Sequence, residues 1–424
     1  MFSQDVTTKL YIRKREASEW LVLWIVCLPF AFGLFFSLLN APALIKYTVD
    51  LAWLSLFFIL VIKKSAMLHK RLAPLLILIT AFFVYTLVIY LFNFQSPFYY
   101  LWGVRNNFRF YVFFFAVVSF LDGRDAEAIL KIFDTLFWIN AVICLVQYFA
   151  FGYKQDYLGG IFGVERGANA YTIIFFILIV SKSLLSYMSK RETTFSCFLK
   201  CGTALFIAAL AELKAFFAFF VIVLVLSAIL TAFSWRKVGI IFLVAIVAVF
   251  ASALLTTLFG FDSSLSLENI WELATQKNYS ASGTVNRLSA IPVLAKTIVT
   301  ELHNRIFGLG LGNCDTSNFE ICNSTFYQNY GHLRYNWFSC AILFLETGYI
   351  GLIIYMAFFV FCYIAADIQR KNVGSEPLYC QMAMIMSVMC VLFVFYNSSL
   401  RTEAAYMVYF VLSLPFIRKK ADRI

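Results

Sequence analysis

The chain has 424 residues, of which 62% are apolar and only 13% are charged. Such a chain cannot cover itself with a surface of ordinary polarity, so the composition excludes a water-soluble globular protein. The formal net charge is +11, but most basic residues lie in short loops between apolar runs, where they set membrane topology. We therefore predict an all-α integral membrane protein that lies in a lipid bilayer and does not bind nucleic acid.

Twelve apolar runs approach the length of roughly 20 residues that a transmembrane helix needs. In chain order they are 20–38, 44–62, 73–93, 107–121, 129–150, 170–188, 199–211, 215–234, 239–259, 338–366, 379–396 and 403–417. The seventh run is short, and the tenth is long and interrupted by Gly348 and Gly351. The pattern predicts about twelve transmembrane helices in a single polytopic domain over residues 1–424.

Lysine and arginine concentrate in every second connection between these runs. The basic positions are Lys63, Lys64, Lys70, Arg71, Arg124, Lys131, Lys190, Arg191, Lys200, Arg236, Lys237, Arg370, Lys371, Arg418, Lys419, Lys420 and Arg423. Because short basic loops resist translocation, we predict that these connections and both termini are cytoplasmic.

The large loop at 260–337, between the ninth and tenth runs, is the only soluble stretch long enough to fold on its own. Within it, apolar residues recur at helical spacing over 285–299. This pattern predicts an amphipathic helix that lies over the outer face of the bundle as a lid or a platform.

Several cations remain on the outer side, against the usual bias, and they indicate an anionic ligand there. They are Arg105, Arg109, Lys154, Arg166, Lys214, Arg287, Arg305, Arg334 and Arg401. Snorkelling or hydration is the simpler interpretation of Arg105, Lys154, Arg305 and Arg334.

Lys214 and Arg287 favour a functional interpretation more strongly. Lys214 interrupts an apolar run, which is costly unless the charge faces a cavity or a partner; a local salt bridge with Glu212 is the alternative. Arg287 has apolar neighbours in the predicted loop helix, and a phosphate partner would explain its position.

Cys314 and Cys322 are the only cysteines in the large loop, and an oxidising compartment would let them form a disulfide. Two reduced thiols are the alternative. The ten cysteines and three histidines lack metal-site spacing, so we expect no metal and no cofactor. The glycine-rich segment 307–313 lacks the context of a dinucleotide fingerprint and predicts a tight turn, with a phosphate nest as a weaker alternative.

Four features together resemble the bacterial O-antigen polymerases (Wzy-type) and O-antigen ligases. The loop helix opens with Asn286 and Arg287 and leads about twenty residues later into segment 307–313. Residues 345–352 match the family pattern E-x-G-x-x-G-L, and Gly163 to Ala170 match G-x-x-x-N-x-x-A in character. The charged break at Lys214 is the fourth feature.

The resemblance implies a GT-C-like polytopic bundle in the bacterial inner membrane and a metal-independent glycosyltransferase with a periplasmic site. Its donor would be an oligosaccharide on undecaprenyl pyrophosphate, and its acceptor a sugar hydroxyl. A chain-length regulator protein is a further partner that the resemblance leaves open. The departing pyrophosphate would be held first by Arg287 and Lys214, with further contacts from Arg166, Arg105, Arg109, Asn169 and Arg334.

The general base is less defined. His332 is a candidate if the turn brings it inward, although a hydrated loop histidine is the simpler interpretation, and Glu165 and Glu346 are rival carboxylates. The ligases of this family carry a His-Asn pair where this chain has Trp337 and Phe338, which favours a repeat-unit polymerase over a ligase. A transporter or flippase of lipid-linked glycan is the third hypothesis, but the chain shows no pair of similar halves.

Overall fold

The computed structural model describes residues 15–38, 45, 47–63, 72–165, 167–232, 234, 237–239, 276, 283–372 and 375–417. These residues are mostly helical and include no β-strand. The helices are α1 (Ala17–Leu38), α2 (Thr48–Lys63), α3 (Ala73–Phe92), α4 (Pro97–Phe120), α5 (Gly123–Phe149), α6 (Asn169–Met188), α7 (Thr194–Leu210), α8 (Lys214–Leu230), α9 (Ala290–Thr297), α10 (Leu302–Phe307), α11 (Thr325–Tyr330), α12 (Ser339–Arg370), α13 (Pro377–Tyr396) and α14 (Ala405–Ser413).

Five of the described helices are long and apolar enough to cross a membrane: α3, α5, α6, α12 and α13. Helix α6 is almost entirely buried by its neighbours, whereas most apolar side chains of α3 are partly or fully exposed, Ile77 and Phe92 among them. Exposed apolar side chains in such a row would aggregate in water and are suited to lipid. The protein is therefore a helical bundle built for a membrane.

Eleven of the twelve apolar runs coincide with a helix, and the ninth, 239–259, lies outside the described residues apart from its first residue. The short seventh run belongs to the longer helix α7, because Thr193 caps its start through a bond from the Ser196 amide. The long tenth run is one helix with a break at Gly348, where φ is +64°, while Gly351 stays helical.

The segment 307–313, here called the glycine loop, packs against this break. The Leu309 amide donates to the Leu345 carbonyl (2.8 Å), and the Gly310 amide donates to the Glu346 carbonyl (2.9 Å). Three glycines of the loop have positive φ, and a Cβ on Gly308 would lie 2.5 Å from the backbone of Glu346. The predicted turn is confirmed, and it replaces the backbone bonds that the broken helix loses.

The rest of the large loop is also fixed to the bundle. The Gln95 side chain donates to the Leu311 carbonyl (2.6 Å), and the Trp102 indole donates to the Thr316 carbonyl (3.1 Å). Below them, Tyr335 donates to the Cys314 carbonyl (2.7 Å). The described part of the loop, from residue 283 onward, is thus a rigid layer over α3 and α4.

The predicted amphipathic helix is present but shorter than 285–299. It covers Ala290–Thr297 and buries Ala290, Leu294 and Ala295 against the bundle. Arg287 lies in the turn that precedes α9 and not on the helix, because residues 287–289 form turns.

Replacing Gly348 with alanine should destabilise the protein. The new Cβ would lie 2.2 Å from the Ile306 carbonyl oxygen, at a backbone angle that L residues rarely adopt. Strain of this kind costs about 1–3 kcal/mol, so the thermal unfolding midpoint in detergent should fall. Gly202→Ala is the control, since that glycine lies within α7 with no atom within 4 Å of the new Cβ. An unchanged midpoint for Gly348→Ala would show that the break does not need glycine.

Candidate functional site

A cavity of about 540 Å³ opens at one end of the bundle, between α1, α6, α13 and the loops beside them. We call it the inner cavity; its size lies within the range of about 300–1,000 Å³ that is typical of small-molecule sites. Its polar lining residues are Asp156, Glu165, Asn169, Tyr171, Arg287, Asn397, Ser398, Ser399, Thr402 and Glu403, and its aromatic ones are Phe162, Tyr171, Trp337, Phe338 and Tyr396. Hydroxyls, amides, carboxylates and rings are the groups that bind sugars.

Arg287 reaches the inner cavity from the turn before α9. Its own amide donates to the Asn286 side chain (2.6 Å), and Asn286 is buried, so the start of the turn is held in place. The guanidinium lies over the Tyr396 ring, 4.6 Å from its centre. A cation–π contact of this kind orients the guanidinium while its N–H donors stay available to an anion.

A second part of the lining comes from the loop before α6. Asn169, the first residue of α6, donates to the Asp156 carboxylate (2.9 Å). The turn between them is fixed from α5, because the Asn140 side chain accepts from the Ile161 amide (2.8 Å) and Gln147 bonds both backbone groups of Gly160. The loop that carries these carboxylates is therefore held in place by side chains of α5.

The third part is the segment 397–404 between α13 and α14. Its Glu403 accepts from the Tyr171 hydroxyl (3.0 Å) and pairs with Arg109 (3.3 Å), a residue of α4 that is only 2% exposed. The Arg109 guanidinium also donates to the Arg401 carbonyl (3.2 Å). Arg109 thus holds this wall of the cavity from behind.

Arg401 fixes the same segment to the glycine loop. It forms an ion pair with Asp315 at 2.7 Å, and Asn106 donates to the same carboxylate at 2.7 Å. Glu346 lies 3.8 Å from Arg401 and is fully buried. Two carboxylates therefore share one guanidinium at the break of α12.

The described lining of the inner cavity carries one cation, Arg287, and three carboxylates, those of Asp156, Glu165 and Glu403. Such a surface suits a hydroxyl-rich ligand with one anionic group placed at the cation. Within the described parts of the chain, no three His, Cys, Asp or Glu side chains converge as metal ligands do.

A separate opening, here called the second pocket, has a volume of about 560 Å³. It is lined by Glu320, Asn323, Tyr327, Gln328, Gly331, His332 and Arg334. His332 bonds the Asn329 carbonyl through Nδ1 (3.0 Å) and does not line the inner cavity. The structure therefore does not bring His332 to Arg287.

The predicted site residues fall into distinct groups. Arg287 and Asn169 line the inner cavity together, whereas His332 and Arg334 line the second pocket. Arg105 and Arg109 line neither: Arg105 pairs with Asp50 at 2.9 Å, and Arg109 pairs with Glu403. Each of these two arginines therefore forms an ion pair within the bundle and does not face the inner cavity.

Lys214, predicted to act together with Arg287, does not share the inner cavity with it. Lys214 is the first residue of α8 and is exposed, and it does not line the inner cavity. The backbone of Glu212 just before it adopts a left-handed conformation, which ends α7 and begins α8 in one tight turn. The charged break is thus a helix junction. Arg166, also predicted to bind substrate, lies outside the described residues.

Cys314 and Cys322 are both free thiols, so the predicted disulfide is not formed. Cys314 is fully buried beneath the loop, and Cys322 is partly exposed in a separate turn. Burial raises the pKa of both thiols, that of Cys314 well above its ordinary value. A protonated, inaccessible thiol is a poor partner for disulfide formation.

The sequence analysis did not single out Glu403, Tyr171, Asp156 or Tyr396, because it chose candidate residues on the outer side mainly by their positive charge. Glu403 follows Arg401 by two residues at the start of the last apolar run. An acidic residue at that position is as costly in a membrane as a basic one. The presence of an acidic and a basic residue so close together at the start of an apolar run could have identified Glu403 from the sequence.

Neither a scan against protein-family models nor a search of curated proteins finds a match for this chain.

Removing the Arg401 cation should cost more than any other single change in the charged cluster. Arg401→Met leaves the buried Asp315 carboxylate without its ion-pair partner, a loss of about 3–5 kcal/mol. Asp315→Asn should also destabilise, but the double variant should lose clearly less than the two single losses added together. Unfolding in mixed micelles measures the three values. Additive losses would show that Arg401 and Asp315 do not act as a pair.

Proposed function

We propose that this protein is a repeat-unit polymerase of a bacterial cell-surface polysaccharide such as O-antigen. It transfers a glycan from undecaprenyl pyrophosphate to a sugar hydroxyl, with the inner cavity as the reaction site. The observation that carries the proposal is the position of Arg287. Among the described residues that line the cavity it is the only cation, and Tyr396 orients its guanidinium. The other polar and aromatic lining groups are carboxylates, amides, hydroxyls and rings.

The chemistry follows from these groups. The acceptor oxygen forms a bond to the anomeric carbon of the donor, and the bond from that carbon to the phosphate oxygen breaks. The lipid pyrophosphate leaves with the electron pair, and the acceptor proton passes to a carboxylate. Arg287 stabilises the leaving group because negative charge grows there as the bond breaks. Trp337 and Phe338, which also line the cavity, offer apolar faces to the sugar rings.

Glu165 is the carboxylate that we assign as the general base. The Glu403 carboxylate is bound by Arg109 and Tyr171, and the Asp156 carboxylate accepts from Asn169. Glu165 is exposed in the cavity, and its carboxylate has no hydrogen bond to any other described residue. Its oxygens are therefore positioned to accept the proton of an acceptor hydroxyl.

The membrane arrangement that we propose has about twelve spans, cytoplasmic termini and a periplasmic site in the bacterial inner membrane. In its support, the lining residues come from the end of α1, the start of α6, the end of α13 and the loop before α12. The positive-inside pattern assigns every one of these positions to the outer side.

Arg287→Ala should abolish polymerisation without loss of membrane insertion. Loss of one donor that stabilises developing charge lowers kcat about 10²–10³-fold, and Arg287→Lys should recover part of it. The measurement is the surface-glycan ladder in a deletion strain that carries each variant. The control is Lys296→Ala, which removes an exposed cation of the same loop that does not line the cavity.

The same strain separates the competing functions. A polymerase defect leaves single repeat units on the surface acceptor, whereas a ligase defect leaves the acceptor bare. A full ladder from Arg287→Ala would remove this residue from the site. Vesicles that translocate lipid-linked glycan without making a new linkage would instead favour a flippase.

Glu165→Gln should lower kcat by about 10²–10⁴-fold, the usual contribution of a general base, while leaving donor affinity almost unchanged. Single-turnover transfer in detergent, with donor binding measured in parallel, tests both parts. Asp156→Asn is the matched change, and it should act mainly on acceptor KM because Asp156 is bound to Asn169. Equal kcat for Glu165→Gln and wild type would eliminate Glu165 as the base.

A further inference from the structure

The second pocket shares a wall with the inner cavity. The wall is the segment 331–338: Gly331, His332 and Arg334 line the second pocket, and Trp337 and Phe338 line the inner cavity. The Arg334 guanidinium lies over the Trp337 ring, 5.7 Å from its centre. The same short segment therefore contributes side chains to both cavities.

Arg334 is held in an unfavourable backbone conformation. It joins two short 3₁₀ turns with φ 57° and ψ 29°, a left-handed geometry that glycine or asparagine adopts more readily. Its amide is bonded to the Gly331 carbonyl (3.0 Å) and its carbonyl accepts from the Trp337 amide (3.1 Å), so the turn is fixed. Strained residues that carry a charged side chain into a pocket are frequent at binding sites.

The pocket offers a ring face and mixed polar groups. Tyr327 packs so closely on Gly331 that a Cβ there would lie 3.0 Å from the ring, so glycine allows the ring its position. Around it stand a carboxylate (Glu320), an amide (Gln328), an imidazole (His332) and a guanidinium (Arg334). An aromatic surface with donors and acceptors of both charges matches a hydroxyl-rich, uncharged ligand better than an anion.

We propose that the second pocket is a binding site for an uncharged oligosaccharide, and that it holds the part of the glycan beyond the sugar that reacts in the inner cavity. Only the second part, that the bound glycan is continuous with the reacting sugar, rests on the proposed function. A glycan that occupies both cavities binds with a higher effective concentration at each, so the pocket favours long chains over single repeat units.

The test is a binding titration with purified full-length protein in detergent. The probes are the glycans that mild acid releases from the lipid-linked pool of the wild-type strain, separated into a single-repeat and a long fraction. Wild-type protein should bind the long fraction at least tenfold more tightly. In Arg334→Gly, which keeps the left-handed turn, and in His332→Ala, this preference should fall to below threefold.

Arg305→Ala is the control, because it removes a cation of the same loop that lines neither cavity. It should keep the preference for the long fraction. An unchanged preference in Arg334→Gly and His332→Ala together, or equal binding of both fractions by wild type, would overturn the proposal.

The two proposals fail in different ways. If Arg287→Ala still makes a full ladder while the long fraction binds as described, the polymerase mechanism is wrong and the second pocket stands as a glycan site. If Arg287→Ala stops the ladder but no variant of the second pocket alters binding, the inner cavity remains the reaction site and the second pocket is not a glycan site.

Discussion

The ion pair between Arg401 and Asp315 is the contact on which the end of the bundle around the inner cavity depends. A guanidinium that is 7% exposed among apolar helices requires a carboxylate, since an unpaired charge there costs several kcal/mol. Asp315 belongs to the large loop and Arg401 to the segment before α14, so their pairing joins two distant parts of the chain. Arg109, bound to Glu403 and to the Arg401 carbonyl, extends this connection to α4.

This pairing is possible only because backbones approach each other closely. Gly312 of the glycine loop lies so near α4 that a Cβ would be 1.9 Å from the Tyr99 carbonyl oxygen, and Gly103 opposite it is similarly restricted. The loop thereby brings Asp315 under Asn106 and Arg401. The glycine loop, the break in α12 at Gly348 and the ion pair between Arg401 and Asp315 therefore pack together. The segment 397–404, which Arg401 belongs to, forms one wall of the inner cavity.

The sequence predicted the helices well and their charged contacts poorly. Hydropathy is a local property, so the runs around α3, α6 and α13 matched the helices to within a few residues. The partner of a buried charge is not local: Asp50 on α2 accepts from Arg105 on α4, 55 residues further along the chain. For the same reason Arg105 and Arg109, which the resemblance assigned to substrate, proved to be occupied by carboxylates that only the fold brings near.

Three arginines near the inner cavity, Arg109, Arg287 and Arg401, differ in what their charges interact with. Arg109 and Arg401 are neutralised by carboxylates behind the wall, so their charges give the cavity little net field. Arg287 lies over a ring and not against a carboxylate, and its charge therefore acts on whatever enters. Since carboxylates line the rest of the described cavity, an anionic group has one favourable place, beside Arg287. The proposed donor, with a diphosphate at one end and uncharged sugars at the other, would therefore bind in a single orientation.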